Sequence, residues 1–221
     1  MSILTNLIGK KVYVKLAGDK SLEGILTDEG KNILVLYNGQ DYYYIPLIHV
    51  HKIIMSNLTQ ENALNPIEDS IVKEMDVISY REILENVKRD IVEINVVGNL
   101  NFHGYITHVL SDYLVFYSPI FNTMYISLAH LKWLKLFNHQ RTPYNLTKES
   151  FTGNPKIGFE SLTLESQLKN LEGNIITIDG GIDSEKSGLL SRVDNDLIEL
   201  VQANGEFTYS SLNHIKTVHL P

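Results

Sequence analysis

The side chains in this sequence that could do chemistry are its histidines, its clustered acids and its tyrosines, because it contains no cysteine. That absence removes thiol nucleophiles, disulfides and thiolate zinc sites at once. Three of the eight histidines share one phrase, Tyr-x-x-Leu-x-His-aliphatic. It runs from Tyr44 through Leu47 and His49 to Val50, from Tyr125 through Leu128 and His130 to Leu131, and from Tyr209 through Leu212 and His214 to Ile215. Catalysis seldom needs one residue in every copy of a repeat. The expected role is structural, with a ring nitrogen bonded to a backbone carbonyl to fix a corner. His103 and His108 lie apart from this phrase, and no acid stands at a standard ligand spacing beside them. The stretch Asp179 to Glu185 gathers carboxylates as a calcium loop does, yet it lacks that loop's length and its closing bidentate Glu. An acidic hairpin is expected there instead. A search for a phosphate-cradling glycine loop, a nucleophile elbow or a His-Glu-x-x-His pair finds none. The expectation is a protein that is not an enzyme, with no cofactor, no metal and no small-molecule substrate.

The elements that carry these residues repeat as well. Gly24, Gly104 and Gly188 precede the three phrase histidines by 25, 26 and 26 positions, and each opens an apolar strand. Each copy begins with an alternating strand, as in Lys11-Val12-Tyr13-Val14-Lys15-Leu16, and continues with apolar runs such as Ile33–Leu36, Tyr113–Phe116 and Leu197–Leu200. Turn residues separate the runs, at 17–20, 38–41 and 203–206 for example. Apolar spacing at 79–87 and 163–171 predicts a short helix before the second and third copies, and Ile3, Leu4, Leu7 and Ile8 suggest a shortened one before the first. The predicted fold class is all-β with short helices: three tandem Sm-like or SH3-like small five-stranded barrels. The units are placed at 1–56, 79–137 and 163–221. An acidic linker at 57–78 and a Pro- and Gly-containing linker at 138–162 join them. Glycine is expected at the bend of each second strand, where a side chain would obstruct closure.

Composition narrows the partners. The formal net charge is −7, and the acid concentrates in the first linker and the third unit. An acidic chain repels phosphate backbones unless its cations gather on one face, so nucleic acid is an unlikely partner. Rings such as Tyr42, Tyr43, Tyr44, Tyr113 and Phe116 are not interleaved with Lys or Arg as in a single-strand-binding platform. Most should be packed inside. No stretch approaches the length of a membrane span, and the N-terminus lacks the features of an export signal, so a soluble protein not exported by the usual route is expected.

Two elements of the third unit carry a family resemblance. Gly180-Gly181-Ile182-Asp183-Ser184-Glu185-Lys186-Ser187-Gly188-Leu189 resembles the Gly-Gly-x-x-Ser-x-x-x-Gly-x-Leu hairpin in the repeats of the spore coat protein B family of Bacillus-type spore formers. Tyr209 through His214-Ile215-Lys216-Thr217-Val218 is similar to that family's repeat ending, with one extra residue between Tyr and His. The first two units lack the Gly-Gly pair, and the sequence ends at Pro221 where the best-known member continues into a Ser/Lys/Arg-rich tail. The resemblance implies a structural protein of the spore coat, assembled from the mother-cell cytoplasm by contacts with other coat proteins or with itself, without catalysis. The strand edges at Ile33–Leu36 and Tyr113–Tyr117 are the expected contact surfaces. The alternative is an Sm-like RNA-binding module.

Overall fold

The computed structural model describes residues 3–18, 20–55, 79–137, 143–147, 151, 160–181 and 183–221. Both linkers expected from sequence fall largely outside these residues. The described residues form fifteen strands and two short α-helices, joined by 3-10 turns, so the protein is all-β. The strands are β1 (Lys11–Leu16), β2 (Lys20–Glu29), β3 (Ile33–Tyr37), β4 (Tyr42–Pro46), β5 (Val50–Met55), β6 (Val92–Val97), β7 (Leu100–Val109), β8 (Tyr113–Ser118), β9 (Asn122–Ser127), β10 (Trp133–Leu136), β11 (Ile175–Ile178), β12 (Ser187–Asp194), β13 (Leu197–Val201), β14 (Phe207–Ser211) and β15 (Thr217–His219). Helix α1 (Tyr80–Asn86) precedes β6 and α2 (Leu164–Lys169) precedes β11, while a single 3-10 turn at Leu4–Leu7 precedes β1.

Both helices begin where their sequence supplies a cap. The Ser79 hydroxyl accepts from the Glu82 N–H and the Glu82 carboxylate accepts from the Ser79 N–H, a reciprocal capping box. The Thr163 hydroxyl caps α2 through the Ser166 N–H.

All strands belong to one antiparallel sheet, hydrogen-bonded in the order β14-β13-β12-β11-β15-β9-β8-β7-β6-β10-β4-β3-β2-β1-β5. The same local order, fifth-first-second-third-fourth, occurs three times along it. Among the described residues the pairing does not close on itself. It ends at β14 on one side and β5 on the other.

The three second-strand glycines have a common physical reason. A Cβ on Gly24, Gly104 or Gly188 would sit less than 3.0 Å from the carbonyl oxygen of Tyr37, Tyr117 or Val201 on the adjacent third strand. The need is for close backbone approach rather than for an unusual φ. Three residues on, each second strand bulges: Thr27, Thr107 and Ser191 are skipped in the pairing register. The Thr27 and Thr107 hydroxyls each donate to a third-strand carbonyl, Val35 O and Val115 O, at 3.2 Å. A glycine followed by a bulge bends the strand sharply.

One expectation is corrected here. Strands β3 and β8 are not edges, because β3 pairs with β2 and β4, and β8 pairs with β7 and β9. Their apolar runs, Ile33–Tyr37 and Tyr113–Phe116, are buried on both faces. The acidic stretch after Asp179 does connect the antiparallel pair β11 and β12, as expected of a hairpin, but Asp179 itself is not a solvated acid. It is buried at the end of β11, and its Oδ1 accepts from the Lys216 N–H at 2.9 Å and the Thr217 N–H at 3.3 Å.

Candidate functional site

The repeated phrase maps onto one structural position. Leu47, Leu128 and Leu212 open 3-10 turns of three residues that end at His49, His130 and His214. Each Leu N–H donates to a carbonyl in the turn after the second strand: Asn32 O at 2.9 Å, Asp112 O at 2.9 Å and Asp196 O at 2.8 Å. The turn thereby ties the third strand's entrance to the fifth strand's.

The tyrosines that begin the phrase, Tyr44, Tyr125 and Tyr209, lie on the fourth strands, and the fourth strand is where one unit meets the next. Strand β4 pairs with β10 at Tyr44↔Leu134, and β9 pairs with β15 at Tyr125↔Val218. Leu134 and Val218 each lie four residues after the phrase His, so the two joints share one register. The second joint adds Ile126↔Thr217 and Met124↔His219, and the Ser127 N–H donates to Lys216 O at 3.0 Å. Pro46 occupies the Ser127 position in the first unit and has no N–H to give, which accounts for the shorter ladder there.

Side chains cross the joints as well. One core mixes Ile33, Val35 and Tyr44 with Tyr80, Ile83, Phe102 and Leu134 of the second unit. Another mixes Tyr113, Val115 and Tyr125 with Leu164, Leu168, Ile198 and Val218 of the third. Trp133 packs back into the first unit's core, its ring edge-on to Tyr43 with centroids 5.2 Å apart. Asn32 Oδ1 accepts the N–H of Tyr80 at the start of α1, and Asp112 Oδ1 accepts that of Leu164 at the start of α2, each at 2.9 Å. Both joints therefore anchor the next unit's helix from the same turn position.

Buried charge concentrates at the first joint. Lys135 Nζ lies 2.8 Å from Asp41 Oδ2 of the first unit and 3.1 Å from Glu93 Oε2 of its own. Burial works to raise the Glu93 carboxyl, but the His103 hydrogen bond and Lys135 outweigh it and hold the group below the usual carboxylate range. His103 is thus engaged with Glu93 at 3.5 Å, while His108 contacts its neighbour Thr107. Among the described residues no group of three or more His, Asp and Glu is arranged to hold a metal ion. Asp179 resembles Glu93: burial raises it, and Lys186 with the Lys216 backbone N–H outweighs that.

The phrase histidines differ from the corner-fixing role expected of them. His130 Nε2 donates to Asn213 O of the third unit at 2.9 Å, so it pins the joint rather than its own turn. His49 is buried without a hydrogen-bond partner for Nε2 among the described residues. Burial, then the nearby His130, Lys132 and His51, push its pKa down to about 4. His214 is exposed. Sequence reasoning identified the repeated residues but missed Asn32, Asp112, Lys135 and Trp133, which work across joints. A joint leaves no periodic mark of its own, and only the Asn32/Asp112/Asp196 alignment within the repeat could have signalled it.

What the arrangement can do is join β-units edge to edge with a fixed register. Among the described residues no helix is long and apolar enough to cross a membrane. A family model described as the YwrJ third domain matches residues 163–218, which span α2 and reach into β15. The whole chain is similar to the uncharacterized protein YwrJ of Bacillus subtilis (strain 168), with 38% identity over 225 residues and 100% of each chain covered. With that identity over its full length, the chain belongs to the YwrJ family.

Proposed function

We propose that this is a non-enzymatic structural protein of the spore-coat type, built of three tandem Sm-like or SH3-like small barrels and acting through protein-protein assembly. One observation carries the reading: the residues that repeat by position build the units and the joints between them. The repeated Gly and Leu give close strand approach and a tight turn within each unit, Tyr44 and Tyr125 pair across the two joints, and His130 donates a hydrogen bond across the second. Five strands in the order fifth-first-second-third-fourth, with a glycine and bulge in the second, supply the bend that a small barrel needs. The partners are other coat proteins or further copies of this chain, and the resemblance of the third unit to coat protein B repeats supports the coat as the setting. The test is immunodetection in fractions of sporulating cells of the source organism. Accumulation in the coat extract of mature spores is the expected result. Protein confined to vegetative cytoplasm would sink the reading.

A second reading, RNA binding by an Sm-like module, draws on one cluster. Lys20 and Lys216 lie close enough to Lys132 to depress its pKa, after burial has already lowered it. Three cations from three units on one region could meet a phosphate backbone. A gel shift with single-stranded RNA at low salt decides it, because low salt strengthens any phosphate contact. No shift there ends the reading.

A further inference from the structure

The two joints are copies of one interaction, and the sheet of described residues ends in the two halves of a third. On one side is β14, whose residues match those of β4 and β9 by position. On the other is β5, which matches β10 and β15. Where a following unit exists, the phrase tyrosine is buried: Tyr44 is 1% exposed and Tyr125 6%. Tyr209, on the outermost strand β14, is 65% exposed. Leu197, at the position of the buried Ile33 and Tyr113, is also exposed, as is Phe207. The acceptor side shows the same contrast. Strands β10 and β15 begin with buried residues, whereas on β5 Ile54 and Met55 are exposed, and Ile3 and Ile48 lie exposed in the same unit. Among the described residues no strand pairs with the outer edge of β5 or of β14.

Resting on the assembly reading above, we propose that β14 of one copy pairs antiparallel with β5 of a second copy, head to tail, as a third joint in the register of the first two. The register follows position by position. Tyr209 meets Ile53 as Tyr125 meets Val218, Thr208 meets Ile54 as Met124 meets His219, and Ser210 meets Lys52 as Ile126 meets Thr217. The Ser211 N–H donates to His51 O, as Ser127 does to Lys216 O. His214 donates to Ile48 O, as His130 does to Asn213 O. Tyr209 and Leu197 enter the second copy's first unit as Tyr125 and Tyr113 enter the third. Because the two halves differ, the contact is heterologous, and each copy keeps one free half to continue the assembly or close it. The acidic third unit meeting the first unit, which has no such excess of acid, favours this pairing over third unit on third unit.

The experiment uses the full chain and two variants, Tyr209→Glu and Ile54→Glu, each blocking one edge at an exposed residue. Sedimentation analysis should give the native protein a mass at least twice the 25.1 kDa of one chain. Each variant alone should fall to no more than a dimer, since its copies can meet at most through a damaged joint, and the predominant species should be the monomer. An equimolar mixture should recover a 1:1 dimer through the one joint whose halves are both intact. Unchanged circular dichroism and urea midpoints show that the variants fold. The cysteine-free sequence allows a register test, because Thr208→Cys in one copy and Ile54→Cys in another should cross-link on mild oxidation. A native protein that stays monomeric at high concentration overturns the proposal. So does a mixture that fails to dimerise, or cross-linking of Thr208→Cys to itself rather than to Ile54→Cys. These results are separate from the coat reading: a monomer found in coat extract loses this inference alone, and an assembling protein absent from spores loses the coat alone.

Discussion

At the residue scale, His49 shows how the joint turns a common side chain into a stability term. Its pKa is pushed from 6.5 down to about 4, first by burial and then by His130, Lys132 and His51. The folded state therefore holds the ring neutral while the unfolded state protonates it first. The stability this group contributes is complete above about pH 6.5 and is lost as pH falls toward about pH 4, where the folded form also accepts a proton. Glu93 and Asp179, both held below their ordinary range, lose their contributions in the same direction but at lower pH. His49→Gln should flatten the dependence of the urea midpoint between about pH 6.5 and about pH 4.5 and leave the steeper acid limb in place. An unaltered slope in that window would show that His49 does not titrate there. The repeat made this residue visible in the sequence, but not its role. A carbonyl acceptor on another unit, 83 residues away for His130, cannot be read from local spacing.

At the element scale, the second strands carry the sharpest requirement. Gly104 sits beneath the Tyr117 carbonyl and the Phe116 ring, so an added methyl must displace backbone that two neighbouring strands hold. Gly104→Ala should lower stability by about 2 kcal/mol or more, in the range of overpacked cores. Gly205 is the control. A methyl added there would meet no atom within 4 Å, but φ is +85°, so Gly205→Ala should cost only about 1 kcal/mol, from backbone strain. Chemical denaturation of the two variants checks the order, and equal losses would mean that close approach is not the reason for Gly104. Glycine spacing, strand alternation and the capped helices were legible because they are local. The choice of edge strands was not. Ile33–Tyr37 and Tyr113–Tyr117 are apolar or aromatic throughout, which a fully buried central strand and a sticky edge have in common. Only the pairing order separates them. The true outer strands, β5 and β14, carry Lys52, His51 and several Ser and Thr residues that blunt an edge against indiscriminate pairing.

At the scale of the whole molecule, shared cores decide how the chain comes apart. Units with private cores would unfold independently, each with its own transition. Here Tyr44 is buried among second-unit residues, Tyr125 among third-unit residues, and Trp133 within the first. Loss of any unit strips neighbours of apolar cover as well as strand pairing, so the interface term rivals the stability of a unit alone. Calorimetry of the native protein should show one transition, with the calorimetric enthalpy matching the van't Hoff value. Trp133→Ala removes a ring that holds the first joint, costing about 3–5 kcal/mol if the site does not collapse. That loss should fall on the joint more than on either unit, splitting the single transition into an early melting of the first unit and a later one of the remainder. Three resolved transitions in the native protein would instead make the joints mere contacts between self-sufficient domains. In that case a third joint between copies, formed by the same residues, would be too weak to hold an assembly together.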